Sequence, residues 1–193
     1  SDNFDGAFQA VSHLIKLGHR RIAYVALVRL EDVSSVRERF LGYCKALRQH
    51  DIPFDRDVIR LPLSKYTQGD TKNKLKDVLS DLLNKGTTAI FAEHDYLAIM
   101  IAKELSNMGV SIPQDVSLVG FDNIEMLEHL EFQLTTIDQD FYQIGKTAAQ
   151  LVLECIENGV YKSKEVVVPV KLIERDTTAR RKAISEIVAN FEE

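Results

Sequence analysis

Short apolar runs along the chain alternate with longer segments in which apolar residues recur every three or four positions. Near-continuous apolar runs such as IAYVAL and VSLVGF are typical of strands that are buried on both faces of a parallel sheet. The pattern predicts strands over residues 22–27, 58–63, 88–92, 116–121, 134–137 and 166–173.

The segments between these runs have the spacing of helices. Val36, Phe40, Tyr43 and Leu47, for example, lie on one face of a helix that Pro53 ends. Helices are predicted over residues 34–49, 70–84, 95–108, 125–130, 141–158 and 180–193. Strands that alternate with helices predict an α/β fold with a doubly wound parallel sheet and right-handed crossovers.

The last predicted helix has an apolar stripe formed by Ile184, Ile187, Val188 and Phe191. A stripe of this kind packs against another surface. That surface is either the core of the same chain, which is the default, or another subunit.

Polar residues cluster where the predicted strands end. In open α/β sheets, ligands bind beyond the carboxyl ends of the strands. These ends are followed by residues 28–35, 64–68, 93–95 and 122–123, and Arg39 and Gln139 lie close to them in sequence. Carboxylate, amide, guanidinium and aromatic side chains together suit a polyhydroxylated ligand such as a sugar.

Each of these residues also has a purely structural interpretation. Asp122 could cap the short helix at 125–130, and Asp95 could cap the helix that it begins. A single arginine such as Arg39 is more often solvated on a helix surface. His94 beside Asp95 suggests a carboxylate-oriented imidazole, but adjacent residues cannot easily orient each other in this way.

The sequence has none of the motifs that mark common catalytic or cofactor sites. G-x-S-x-G, the Walker A pattern, G-x-G-x-x-G and H-E-x-x-H are all absent. We therefore predict no catalytic residue, no metal and no cofactor. A hydrolase or transferase that uses His94 with Asp95 or Asp122 is a minor alternative.

Composition narrows the range of partners. The 193 residues carry a net charge of −5, so the chain as a whole lacks the basic face that nucleic-acid phosphates require. No apolar run approaches the roughly 20 residues that span a bilayer, and the first residues do not resemble a signal peptide. Cys44 and Cys155 lack metal-ligand spacing and suit buried, reduced thiols. We predict a cytoplasmic protein without a membrane partner.

Six stretches of the chain, in order, resemble the lactose/galactose-repressor family of sugar-responsive regulators. They are SDNFDGAFQAVSHLIKLGHRRIAYVA, SSVRERFLGY, TAIFAEHDYLAI, GVSIPQDVSLVGFDN, LTTIDQDFYQIG and VVVPVKLIERDTT. The resemblance covers nearly the whole chain up to about Thr178. It implies a periplasmic-binding-protein-like fold of two α/β lobes joined by three crossover strands, with an effector bound in the cleft between them.

The resemblance also assigns residues to the effector site. The matching positions are Asp5, Ser35, Arg39, Asp122, Gln139 and, more loosely, the aromatic Tyr66. Gln139 and Phe141 match the hinge between the lobes. The family usually has Asn-Asp where this chain has His94-Asp95. We keep both residues as effector-binding candidates, and a histidine there would make effector affinity depend on pH near neutrality.

By the same resemblance, the chain begins after the first strands of the N-lobe. The implied division is a partial N-lobe (residues 1–18 and 140–168), a complete C-lobe (residues 19–139 and 169–178) and a helical tail (residues 179–193). A partial lobe exposes apolar surface, which a second copy of the chain could cover.

The function implied is that of the allosteric sensor of a bacterial transcription repressor. We expect a homodimer in which a sugar or sugar phosphate shifts the balance between open and closed forms. DNA would be contacted only by an N-terminal domain outside this chain. The alternative is a periplasmic sugar-binding protein that feeds a transporter, because it has the same fold.

Overall fold

A single parallel sheet forms the centre of the fold. The computed structural model of the chain describes residues 1–60, 71–158 and 164–181. The sheet has the strand order β2-β1-β3-β4. Its strands are β1 (Ile22–Val25), β2 (Ile59–Arg60), β3 (Ala89–Ala92) and β4 (Ser117–Val119), and every neighbouring pair is parallel.

Helices cover both faces of this sheet. They are α1 (Asn3–Lys16), α2 (Ser34–Gln49), α3 (Thr71–Asn84) and α4 (Asp95–Asn107). Alternate residues of the strands point to opposite faces. In β1, Ala23 and Val25 join the hydrophobic cluster under α3 and α4, whereas Ile22 and Tyr24 join the cluster under α1 and α2. Burial on both faces is why this strand reads as an unbroken apolar run.

The chain then leaves the sheet through a second pair of strands. β5 (Thr136–Asp138) and β6 (Lys171–Ile173) are antiparallel to each other. Isolated bridges join Val119 to Thr135 and Asp122 to Asp138, so this pair continues from the end of β4. Between β5 and β6 lies α5 (Phe141–Asn158), whose apolar side chains are largely exposed. They include Tyr142, Val152, Leu153 and Ile156.

The α/β class and the parallel sheet are confirmed, with shorter strands than the sequence predicts. The run at 116–121 forms a strand only over Ser117–Val119, and the run at 166–173 only over Lys171–Ile173. The short helix after Asn123 is a 3-10 helix over Glu125–His129. Residues 61–63 of the predicted second strand, and residues 182–193 of the predicted last helix, lie outside the described residues.

The first helix, α1, packs against the central sheet. The resemblance assigns residues 1–18 to the N-lobe. In the structure, however, Ala7, Ala10, Val11 and Leu14 of α1 are fully buried in the same cluster as the central strands. α1 thus shares its hydrophobic cluster with the central strands. The division of the chain into two lobes and a tail stays a prediction.

Within the described residues, no helix is both long enough and apolar enough to cross a membrane.

We predict that Gly42→Ala destabilises the fold by about 1–3 kcal/mol, the usual cost of overpacking a filled site. A Cβ atom on Gly42 of α2 would lie 2.2 Å from the carbonyl oxygen of Phe4 and 2.9 Å from the Cβ of Ala7. The two helices would have to separate. Urea unfolding followed by circular dichroism measures the change.

Gly145→Ala on α5 is the matched control, because the added methyl group would meet no atom within 4 Å apart from the backbone of its own helix and its chain neighbours. Alanine there should leave stability unchanged or raise it by up to about 1 kcal/mol through helix propensity. Equal urea midpoints for Gly42→Ala and the unmodified protein would show that α1 and α2 do not pack as closely as described.

Candidate functional site

A buried arginine organises the carboxyl edge of the sheet. Arg39 lies on the inward face of α2 and is only 7% exposed. Its Nε donates to the side-chain oxygen of Asn3 (2.9 Å), and Nη2 donates to a carboxylate oxygen of Asp122 (3.1 Å). Nη1 donates to the backbone oxygen of Glu93. The guanidinium thus joins the start of α1 to the ends of β3 and β4.

The aromatic ring before Asp122 completes the surroundings of this guanidinium. The guanidinium carbon of Arg39 lies 3.7 Å from the centre of the Phe121 ring, which is a cation–π contact. Burial lowers the pKa of Arg39, and the nearby Asp122 carboxylate opposes that change. An arginine stays charged in this setting, so its positive charge is balanced locally by Asp122.

Asp122 stands at the turn where the chain leaves β4. Asp122 and Asn123 both have positive φ angles, of 122° and 55°. Asp and Asn tolerate positive φ better than most residues do. One carboxylate oxygen of Asp122 accepts hydrogen bonds from both Arg39 and the amide of Gln139. Among the described residues, no donor is recorded for the other oxygen.

Gln139 connects this carboxylate to the first residue of the chain. Its side-chain nitrogen donates to Asp122, and its side-chain oxygen accepts from the hydroxyl of Ser1. Gln139 is 8% exposed and lies directly after β5. The amide therefore links three segments that meet at the edge of the sheet.

His94 presents one nitrogen towards this group of residues. Its Nδ1 accepts the backbone N–H of Leu97 (3.0 Å) and caps α4. In the neutral imidazole, the proton must then be on Nε2, which is a hydrogen-bond donor. Burial is the main cause that lowers the pKa of His94. The lowered pKa favours the neutral ring, so the expected dependence of effector affinity on pH moves to more acid values.

Asp95 is occupied by contacts within the protein. It is fully buried, and one carboxylate oxygen accepts from the hydroxyl of Thr136 (2.5 Å). The other oxygen accepts from the backbone N–H of Ile124 (3.0 Å). Gly120 must be glycine here, because a Cβ atom would lie 2.3 Å from the Asp95 carboxylate. Asp95 therefore positions the turn that carries Asp122.

These contacts argue against the hydrolase interpretation. The carboxylate of Asp95 is bonded to Thr136 and Ile124, so it does not orient the imidazole of His94. The Nδ1 atom of His94 is likewise committed to the start of its own helix. Within the described part of the chain, no group of three or more His, Cys, Asp or Glu residues could hold a metal ion.

Of two further candidates, Asp5 lies apart from Arg39 and Tyr66 is outside the described residues. One carboxylate oxygen of Asp5 accepts from the side chain of Gln9 (2.6 Å), and Gln9 in turn contacts Val170 and Leu172 around β6. This position points Asp5 along α1 and not to Asp122. Tyr66 lies outside the described residues.

The last two candidates flank the site at helix starts. Ser35 is half-buried in the first turn of α2, one turn before Arg39. Phe141 is the first residue of α5 and is 53% exposed. Neither side chain contacts Arg39 or Asp122 in the described structure, and both stay predictions.

Glu93 is an important residue that the resemblance does not select. It follows β3 directly and is 2% exposed. One carboxylate oxygen accepts the backbone N–H of Leu27 (2.7 Å) and lies 3.6 Å from Nε2 of His94. The other oxygen is buried and has no hydrogen-bond partner among the described residues. Burial raises the pKa of Glu93 to about 7. The rule that ligands bind beyond the carboxyl ends of strands includes Glu93 among the candidate positions. Only the structure shows that its side chain is buried.

Asn3 and Phe121 are also contacts of Arg39 that sequence reasoning did not identify. Phe121 adjoins Asp122 in the sequence and could have been found from that adjacency. Asn3 is 36 positions from Arg39, and its role depends on the close packing of α1 against α2.

Comparisons with known proteins identify relatives of the whole fold. The family model described as a periplasmic binding protein-like domain matches residues 11–178. The chain is 31% identical to the arabinose metabolism transcriptional repressor of Geobacillus stearothermophilus, over 92% of this chain and 48% of the relative. It is 32% identical to the transcriptional repressor CytR of Escherichia coli K12, over 92% of this chain and 50% of the relative.

A solved structure shows that the similarity includes the three-dimensional fold. A LacI family transcriptional regulator from Enterococcus faecium with bound ribose matches with a TM-score of 0.79 and 34% identity. The match covers 94% of this chain and 65% of that one. The chain spans about half the length of the curated relatives that it matches.

We predict that Glu93→Gln removes part of the pH dependence of stability. The pKa of Glu93 is about 7 in the folded protein, against an ordinary value of 4.5. Between these values the unfolded chain ionises first, so folding stability falls as pH rises from about 4.5 to about 7. Glutamine keeps the acceptor for Leu27 without the ionisation. At neutral pH it should raise stability by at most about 3 kcal/mol relative to the unmodified protein.

Urea unfolding at about pH 5 and about pH 7.5 tests this, with the exposed Glu128→Gln as the control. Burial raises the pKa of Asp95 to about 6. In the Glu93→Gln variant, ionisation of Asp95 should therefore still lower the folding stability, by a smaller amount and at lower pH. If Glu93→Gln and Glu128→Gln lose stability equally between the two pH values, Glu93 does not carry a raised pKa.

Proposed function

This chain belongs to the periplasmic binding protein-like domain family, and within it to the lactose/galactose-repressor group, and we propose that it is the effector-sensing domain of a bacterial transcription repressor. It binds a small polyhydroxylated effector and passes the signal to DNA-binding residues outside this chain. The net charge of −5 supports a division of labour in which this domain does not itself bind DNA.

The observation that carries the proposal is the unequal hydrogen bonding of the two carboxylate oxygens of Asp122. Arg39 and Gln139 hold one of its oxygens in place, and the side chain is 20% exposed. The other oxygen is an acceptor without a recorded donor among the described residues. His94 lies at the end of β3, and its Nε2 is a hydrogen-bond donor because its Nδ1 accepts from Leu97. A fixed acceptor beside a fixed donor suits neighbouring hydroxyl groups of a sugar.

The charges of the site favour a neutral sugar over a sugar phosphate. Among the described residues beside the turn at Asp122, Arg39 already donates to Asp122, Asn3 and Glu93, and Arg175 already donates to Asn123 and Leu134. A phosphate would need a further unpaired cation, and it would approach the carboxylates of Asp122 and Glu93. The names of two relatives agree with a sugar, since one regulates arabinose metabolism and another holds ribose.

The proposed mechanism is a shift between two arrangements of the domain. Gln139 bonds both Asp122 and Ser1, and Phe141 begins the helix that follows. A ligand hydroxyl that binds Asp122 competes with Gln139 or adds to its contacts, so it favours one arrangement of these segments. In a homodimer this change would alter the affinity of attached DNA-binding domains. We place such a protein in the cytoplasm, where its operator is.

The transporter-associated sugar-binding protein is the less supported function. It has the same fold and the same kind of ligand, so the site does not separate the two. The curated relatives named above are both transcriptional repressors, and this favours the regulatory role.

We predict that a thermal-shift screen with pentoses, hexoses, disaccharides, sugar phosphates and nucleosides raises Tm for at least one neutral sugar. Asp122→Asn should weaken binding of that sugar by about 10- to 100-fold, because one hydrogen bond to a charged group is lost. Arg37→Ala is the matched control, because Arg37 is exposed on the same helix as Arg39. Titration calorimetry measures both variants.

The outcomes separate the parts of the proposal. A shift with nucleosides alone would keep the sensor and reject the sugar. Equal affinity for Asp122→Asn and Arg37→Ala would reject the site. No shift with any of these compounds would reject effector binding by this domain.

A further inference from the structure

A buried carboxyl group lies beside the nitrogen that we propose as a hydrogen-bond donor to the effector. The side chain of Glu93 is 2% exposed, whereas that of its neighbour His94 is 28% exposed. One carboxylate oxygen of Glu93, Oε1, lies 3.6 Å from Nε2 of His94 and accepts the backbone N–H of Leu27 (2.7 Å). The imidazole is thus partly accessible, and its Nε2 has an acid of the protein as a neighbour.

The distance between these two groups leaves the proton on Nε2 of His94 uncommitted. A separation of 3.6 Å is longer than a hydrogen bond. A hydrogen bond to an ionised acceptor is roughly twice as strong as one to a neutral acceptor. An ionised Glu93 therefore draws the Nε2–H group towards itself, whereas a neutral Glu93 leaves it for a hydroxyl oxygen of a sugar.

The second carboxylate oxygen of Glu93, Oε2, is the place where a proton is held. It is buried and has no hydrogen-bond partner among the described residues. Because Oε1 accepts from Leu27, a proton on Oε2 leaves that hydrogen bond intact. A buried oxygen without a donor is costly to ionise. Burial accordingly raises the pKa of Glu93 to about 7, so this group changes its charge near neutral pH.

Ionisable groups on the elements packed around Glu93 modify this burial effect without removing it. Arg39 on α2 favours the ionised form of Glu93, and Asp122 after β4 disfavours it. Tyr24 on β1 stays protonated, because burial raises its pKa. Burial also lowers the pKa of His94 at the start of α4, which favours the neutral ring. The change of charge near neutral pH therefore belongs to Glu93.

We infer that Glu93 is a positioning residue of the effector site, which leaves the Nε2–H group of His94 to the effector when it is protonated and holds it when it is ionised. This inference rests on the proposed function, because it concerns the same donor. Above about pH 7, effector binding is then accompanied by the transfer of up to about one proton from solvent to Oε2 of Glu93. Effector affinity falls as pH rises through neutrality.

The first test follows the imidazole without any ligand. Proton–nitrogen correlation spectra give the chemical shift of Nε2 of His94, and a His94→Asn variant identifies the signal. The shift should change as pH rises through about 7, because ionised Glu93 attracts the Nε2–H group. This change should be absent in Glu93→Gln, which keeps the acceptor for Leu27 and cannot ionise. It should remain in the exposed Glu128→Gln control.

The second test measures affinity for D-ribose, L-arabinose, D-glucose and cellobiose by titration calorimetry. If only the protonated form of Glu93 binds, the competent fraction falls from about 0.9 at pH 6 to about 0.1 at pH 8, so Kd rises up to about tenfold. Glu93→Gln should keep the tighter affinity at both pH values, and Glu128→Gln should behave as the unmodified protein does. At the higher pH, the binding heat of the unmodified protein should vary with the ionisation enthalpy of the buffer.

The outcomes distinguish the inference from the proposed function. An identical pH dependence of the His94 signal in the unmodified protein and in Glu93→Gln would overturn the inference, whichever sugar binds. Equal affinity of the unmodified protein at both pH values would also overturn it and would leave the proposed function intact. If none of the four sugars binds at either pH, the sugar-sensing function is rejected and the inference with it.

Discussion

The burial of one guanidinium group is the constraint on which the rest of this site depends. A charge removed from water is costly unless acceptors and an opposite charge surround it. Arg39 has the amide oxygen of Asn3, the carbonyl of Glu93, the carboxylate of Asp122 and the ring of Phe121. These groups come from three segments of the chain, so satisfying Arg39 fixes the start of α1 relative to the ends of β3 and β4.

The carboxylates of the sequence-predicted site residues divide into those that are bonded within the protein and one that has an oxygen left for the proposed ligand. Asp95 has both oxygens bonded to its own protein, and Asp5 is paired with Gln9 along α1. Asp122 has one oxygen held and one without a recorded donor in the described residues. The bonded acids therefore fix the surroundings of Asp122, and the proposed effector site presents a small number of polar atoms.

Much of this arrangement follows from the sequence, for reasons that depend on particular residues. The double-sided burial of Ile22 to Val25 produces an apolar run, and the rule for strand ends then brings Arg39, His94, Asp122 and Gln139 towards one edge. The pattern could not predict hydrogen bonds between residues that are far apart in the sequence. The bond between Asn3 and Arg39 and the unpaired oxygen of Glu93 depend on tertiary packing. For the same reason, the sequence pattern does not predict the close contact of α1 with α2 at Gly42.

The most direct test of this account is a two-dimensional NMR titration of the isotope-labelled protein with the sugar that raises Tm most. The account predicts that the largest saturable shifts occur at the Nε–H of Arg39 and at the backbone amides of His94, Asp122 and Asn123. It would be contradicted if these signals stayed in place while the shifts that saturate lay elsewhere, because the sugar would then bind away from the buried arginine.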